Sequence, residues 1–191
     1  MSPRPSCSHC GRPLRVCLCA AITQMAAPVK LIIWQEKTEA RHPLSTAPLL
    51  NLSIQNSVLL QGDQYDYGEV FGSLPVEQVA VLYPLREGQA VTEQQKRDIR
   101  ALLIIDGTWR KTRKLMLQNP WLQQLPFIRL QPQTTSRYTI RTSPHEFGLS
   151  TIEAGVAALN WLSGGDEFDR VLAVLDRLVD IQLSHGHKGG K

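Results

Sequence analysis

Beyond residue 19 the chain contains no cysteine, and that absence governs how its four cysteines are read. Disulfides that staple a secreted domain are spread along the chain. Here Cys7, Cys10, Cys17 and Cys19 crowd one end, a distribution that suits metal chelation instead. No apolar run approaches the roughly 20 residues needed to span a bilayer, and the first residues lack the apolar centre of a secretory signal. A cytoplasmic protein with no membrane partner is the expectation. Repeats at solenoid or propeller periods and long low-complexity tracts are missing too, which argues against arrays and extended linkers. Charge of one sign is scarce: 21 Lys and Arg against 17 Asp and Glu leave a formal +4, which favours an anionic partner without naming one.

What remains is a chain of 191 residues with 42% hydrophobic content, enough to bury one substantial core. The expected organisation is a cysteine-rich module over 1–27, one catalytic α/β domain over 28–184, and a disordered tail over 185–191. In the first module, thiolates two residues apart around a turn can both face one ion, and four complete the tetrahedron of a structural zinc. Gly11 and Pro13 supply the turn between the pairs. The Cys17-Leu18-Cys19 pair is tighter than common zinc knuckles, so His9 stands as an alternative ligand. Reduced free thiols and an iron–sulfur site are the competing readings of the cluster.

Short runs rich in β-branched residues at 29–34, 57–61, 78–83, 101–105 and 127–130 are candidate strands. Between them lie helical signatures at about 46–56, with Thr46 as cap and Pro48 in the first turn, and from Thr92, where Gln95 completes a capping box. A helix is expected after Thr108, another over 150–162 with Ser150 and Glu153 as capping box and Gly164 as stop, and a last one capped by Asp166. Its apolar positions Phe168, Val171, Leu172, Leu175, Leu178, Val179 and Leu183 recur every three or four residues. Alternating strands and helices imply a mainly parallel sheet flanked by helices, with ligands beyond the carboxyl ends of the strands.

The richest stretch is Leu102 to Trp109, an apolar strand ending in Asp106-Gly107-Thr108. A carboxylate at a strand's carboxyl end suits a catalytic base, and equally suits a turn that Asp bonds locally. Arg110, Lys111, Arg113 and Lys114 follow on about one helical turn, with Trp109 beside them. Phosphate contact plus base stacking is what RNA binding needs, while a solvated helix face is the plainer alternative. Arg137 is grouped with these cations. Arg141 and the helix start at Leu149, Ser150, Thr151 and Glu153 can hold a carboxylate, or the helix residues can simply cap. His42, in the loop before the first helix, is a weak acid–base candidate. Trp34, Trp121 and Met116 read as packing.

Taken in order, the cysteine cluster, His42-Pro43-Leu44-Ser45-Thr46, the Asp106, Thr108 and Trp109 turn with its basic helix, then Tyr138, Arg141 and Leu149-Ser150-Thr151-Ile152-Glu153 resemble the DTW-domain family over nearly the whole chain. The resemblance implies an enzyme that transfers the 3-amino-3-carboxypropyl group of S-adenosylmethionine to a uridine N3 in tRNA, releasing methylthioadenosine. It also implies a SPOUT-like sheet with a knotted C-terminal part. The donor would then lie between Leu82-Tyr83-Pro84, Asp106-Gly107 and the stretch from Leu130 to Thr151. Asp106 is the expected base, or a residue that positions the donor. Two rivals are a SPOUT-type RNA methyltransferase and a zinc-containing RNA-binding module without catalysis. No protein partner is inferred, and the oligomeric state is open.

Overall fold

The computed structural model describes residues 5–83, 90–130, 135–140 and 148–186. Five strands form one sheet: β1 (Lys30–Gln35), β2 (Ser57–Gln61), β3 (Val79–Leu82), β4 (Ala101–Asp106) and β5 (Phe127–Ile128). Their order is β2-β1-β4-β3-β5, and every pairing is parallel. The expected α/β architecture is therefore the observed one. Among the described residues five α-helices cover the sheet: α1 (Ala47–Ser53), α2 (Tyr67–Phe71), α3 (Trp109–Gln118), α4 (Thr151–Ser163) and α5 (Leu172–Ser184).

Strand alternation divides the core in two. Leu31, Ile33, Leu102 and Ile104 point to the face covered by α1, α4 and α5. Ile32, Trp34, Val81 and Leu103 point the other way, against α2 and α3. Nearly continuous burial of β1, β3 and β4 is what a parallel sheet covered on both faces requires. Gly155 lets α4 approach closely, since a Cβ there would lie 2.4 Å from Leu50 Cδ2. Trp34 and Trp121 stack with ring centroids 6.1 Å apart, and with Met116 they belong to the second core, as packing residues should.

Several local expectations are corrected. The Thr92–Gln95 side-chain bonds form, but they introduce one 3-10 turn at Gln95–Arg97 instead of an α-helix. Helix α2, opened by a capping box of Asp66 and Glu69, was not anticipated, because five residues are too few to show a helical period. Thr46 precedes α1 without a side-chain cap; its Oγ1 instead accepts the Ile152 N–H, 3.3 Å away, at the start of α4. The last helical segment begins as a 3-10 turn, Glu167–Val171, and Leu183 on α5 is exposed, not core. His185 follows α5, with its Nδ1 2.7 Å from the Ile181 carbonyl oxygen. Residues 187–191 of the expected tail and the chain stretches 131–134 and 141–147 on which the knot expectation turns lie outside the described residues.

Candidate functional site

The helical segments after β1 and β4 run to opposite sides of the sheet order, toward β2 in one case and toward β5 in the other. Such a divergence opens a crevice at the carboxyl ends of the two strands, the customary ligand position in this architecture. Two polar residues end those strands directly opposite each other, Gln35 on β1 and Asp106 on β4. Both lie on the α1/α4 face by alternation with Ile33 and Ile104. Gln35 is fully buried and Asp106 is 5% exposed.

Burying a carboxylate requires donors, and three are present. Gln35 Nε2 donates to Asp106 Oδ2 at 2.8 Å, Ser45 Oγ stands 3.4 Å from the same oxygen, and the Thr151 hydroxyl donates to Oδ1. Gln35 Nε2 also donates to Ser45 Oγ at 2.7 Å, and its Oε1 accepts from Gln61 Nε2 at 3.0 Å. Sequence reasoning missed Gln35 and Gln61. A signal existed: Lys30-Leu-Ile-Ile-Trp-Gln35 ends in a polar residue just as Ala101-Leu-Leu-Ile-Ile-Asp106 does.

A second polar group lies in the loop after β1. Glu36 Oε2 accepts from Thr38 Oγ1 at 2.6 Å and from the Thr38 and Glu39 N–H groups, each at 3.0 Å. Burial works against its charge, yet these donors and Lys111 together hold the carboxyl below its ordinary range. Lys111 reaches across from α3 to Glu39 at 2.9 Å and Glu36 at 3.6 Å. The bond to Glu39 raises its ammonium above the usual value despite partial burial. Of the four cations expected to face the crevice as phosphate contacts, Lys111 is thus engaged by two carboxylates, whereas Arg110, Arg113 and Lys114 are exposed on α3. Thr108 sits at the N-cap of α3 but makes no side-chain cap, and Trp109 is half-buried.

The start of α4 is largely satisfied by the protein itself. Glu153 Oε2 accepts from Ser150 N at 2.8 Å, Ser150 Oγ at 2.6 Å and Ser136 Oγ at 2.7 Å, while Oε1 accepts from Arg137 N at 2.6 Å. Ser150 and Glu153 complete the expected capping box, and Leu149 precedes it. The Arg137 side chain meets Asp176 on α5 at 3.3 Å. Leu82 ends β3 beside Ile104 of β4 and Tyr83 follows it, so two of the three expected loops are neighbours. Pro84 and Arg141 lie outside the described residues. His42 is exposed, with its Nδ1 accepting the Leu44 N–H.

The sequence matches the DTW domain over residues 4–183. The chain belongs to the DTW-domain family. Relatives include a Drosophila melanogaster protein named tRNA-uridine aminocarboxypropyltransferase 2, 30% identical over 193 residues that cover 96% of this chain and 77% of that protein. Proteins of the same name from Macaca fascicularis and Mus musculus are 27% and 28% identical, and the chain spans 65% of each, or just under two thirds of their length. No solved structure matches the chain. Asp106 lies at the centre of the strand-end network of this DTW protein.

The cysteines form a separate centre. All four Sγ atoms lie within 4.8 Å of one another, with Cys7–Cys19 at 3.5 Å and Cys10–Cys17 at 3.7 Å. A zinc–sulfur distance of about 2.3 Å gives a tetrahedral edge of about 3.8 Å, so the four thiols fit such an ion. They are too far apart for disulfides, which need about 2.0 Å. The knuckle is set by Gly11 N–H to Cys7 O at 2.9 Å with Gly11 at φ 70°, and Cys19 opens a 3-10 turn that brings the tighter pair into reach. His9, exposed, is not among the gathered ligands. Leu18, between the second pair, is buried in the main core, so the cysteine segment is packed onto the α/β core.

Proposed function

We propose that this DTW protein transfers the 3-amino-3-carboxypropyl group of S-adenosylmethionine to N3 of a uridine in tRNA, with methylthioadenosine as the second product. The observation that carries the reading is the placement of Asp106, the family's aspartate, as a buried and fully oriented carboxylate at the β1/β4 crevice. The names of the relatives point to tRNA uridine as acceptor.

The donor is a substrate that brings an electrophilic methylene beside a sulfonium. Among the described residues, groups at the strand ends suit its positive charges: Asp106, Glu36 and Glu39 gather there with Lys111. Leu82, Tyr83 and Gly107 adjoin them for the adenosine side, and Arg141 is the candidate for the carboxylate. The start of α4 is a poorer choice for that carboxylate, because its amides are taken by Ser150 and Thr46 and the Glu153 charge stands beside it.

Uridine N3 carries a proton at neutral pH and must lose it to attack carbon. Asp106 accepts that proton, the N3 electron pair forms the new bond to the methylene, and the carbon–sulfur bond breaks with its electron pair on sulfur. Sulfonium leaves without assistance, so fixing the right carbon opposite N3 is the protein's main task. Exposed Arg110, Arg113 and Lys114 beside Trp109 supply the face for phosphates and an unpaired base.

Incubating the purified chain with unmodified tRNA and S-adenosylmethionine, followed by mass spectrometry of nucleosides and small products, tests this directly. Aminocarboxypropyluridine together with methylthioadenosine, both abolished by Asp106→Ala, is the expected result. Adenosylhomocysteine in their place would make the protein a methyltransferase and overturn the reading.

A further inference from the structure

The row Gln61–Gln35–Asp106 crosses three neighbouring strands at one level of the sheet, since Gln35 is opposite Gln61 on β2 and opposite Asp106 on β4. An ionised Asp only accepts hydrogen bonds, so the amide facing it must present its NH2 group. Gln35 then has its Oε1 turned the other way, and only a donor can satisfy that oxygen. Gln61 Nε2 is that donor, at 3.0 Å. The polarity of the whole row therefore follows from the charge on Asp106. Conversely, a row fixed in this sense favours that charge, because donors to the ionised form stabilise it over the neutral acid.

Resting on the transfer reaction above, we infer that Gln35 is a positioning residue for it, holding Asp106 ionised and correctly turned, with Gln61 fixing the sense of the Gln35 amide. Ser45 belongs to the same device. It accepts from Gln35 at 2.7 Å, which directs its own proton toward Asp106 Oδ2. Thr151 holds the other carboxylate oxygen from α4. Among the described residues the other charged groups at these strand ends include Glu36 and Glu39, paired with Lys111 of α3, and Glu153, which caps α4. The side-chain bonds of Gln35 and Gln61 run to Ser45, Asp106 and each other, so substitutions in the row leave those charged groups in place.

The test uses the full chain labelled with carbon-13 at aspartate Cγ, titrated by NMR, with the Asp106 signal assigned through Asp106→Asn. Gln35→Met keeps the length and removes both donated bonds; the ionisation midpoint of Asp106 should rise by about one pH unit or more. Gln61→Met, at an exposed position of the edge strand, frees the Gln35 amide to turn over and should give a smaller rise in a chain certain to keep its core. In the transfer assay both variants should lower kcat through misorientation of Asp106 with KM for tRNA unchanged, and the acid limb of the kcat–pH profile should move upward by the same interval as the midpoint. An Asp106 midpoint identical to wild type in both variants would overturn the inference. Failure of wild type to make aminocarboxypropyluridine would sink the proposed reaction instead, while the carbon titration would still decide whether the row controls Asp106.

Discussion

If the four cysteines hold zinc, removing it should loosen the main core, because Leu18, between Cys17 and Cys19, is part of that core. Leu18 is 1% exposed, and Val16, Ala21, Ile22 and Met25 pack around the same cluster. Full burial of one leucine contributes about 2 kcal/mol, and the partly buried neighbours add a fraction of that each. For a domain of this size each kcal/mol moves Tm by about 2–4 °C, so chelation should lower Tm by about 4–10 °C. The assay is metal content by mass spectrometry, expected at one zinc per chain, with calorimetric Tm measured before and after a chelator. Cys17→Ser should reproduce the chelated value, and the chelator should then have no additional effect. Leu18→Ala should lower Tm by a comparable amount while leaving zinc in place, since the leucine cavity costs about 2–5 kcal/mol without touching a thiol. A chain that purifies without metal and melts identically in chelator would refute the reasoning.

Proton release gives an independent check on the same centre. In the metal-free cluster the N–H groups of Cys10 and His9 hold the Cys7 thiol down to about 6, whereas bonds from Cys17 and Cys7 push the Cys19 thiol up to about 12. Zinc added at pH 7 in a weakly buffered solution should therefore release fewer than four protons per ion by dye absorbance, Cys7 contributing almost none. Lys111→Met should destabilise the chain by roughly 2–3 kcal/mol in urea titrations, less than for a wholly buried pair because the side chain is 26% exposed. Arg113→Ala should leave stability alone and lower the salt slope of tRNA binding by about one. Glu36 contributes stability that is fully present above its unfolded value near 4.5 and is lost as pH falls through its lower folded value. The urea stability of Glu36→Gln should fall short of wild type at pH 7 and converge with it below that window; a constant gap down to acid pH would count against the ion-pair account.

The elements with a long period were legible and the short or non-local ones were not. Strands at 57–61 and 101–105 and the helix from Ser150 appear within a residue or so of their expected bounds, because uninterrupted apolar runs and a capping box are local signals. Asp106 was recognisable as a strand-end carboxylate for the same reason. Its partners were not, since Gln35 lies 71 residues away and Thr151 45 residues away, and only the strand order brings them together. Lys111 and its basic neighbours look equivalent in sequence, yet helical phase turns Lys111 toward Glu36 and Glu39 and leaves Arg113 and Lys114 in solvent. Thr46 and Thr108 look like ordinary caps; the first is diverted by a helix more than 100 residues along the chain.

The two centres of the molecule are mechanically joined, and the joint falls on the loop that serves Asp106. Leu18 of the cysteine knuckle belongs to the same buried cluster as Tyr138, and Leu44 packs against that cluster. Tyr138 is buried, and its hydroxyl donates to the Leu44 carbonyl. The two residues after Leu44 are Ser45, which meets Asp106, and Thr46, which holds the start of α4. A metal that fixes the knuckle thereby steadies the cluster in which Tyr138 sits, and Tyr138 holds the loop from which two site contacts are made. Loss of metal should for that reason lower kcat as well as Tm, and Tyr138→Phe should lower kcat without changing zinc content. If Tyr138→Phe is as active as wild type, the knuckle stabilises the core alone and has no path to the site through this loop.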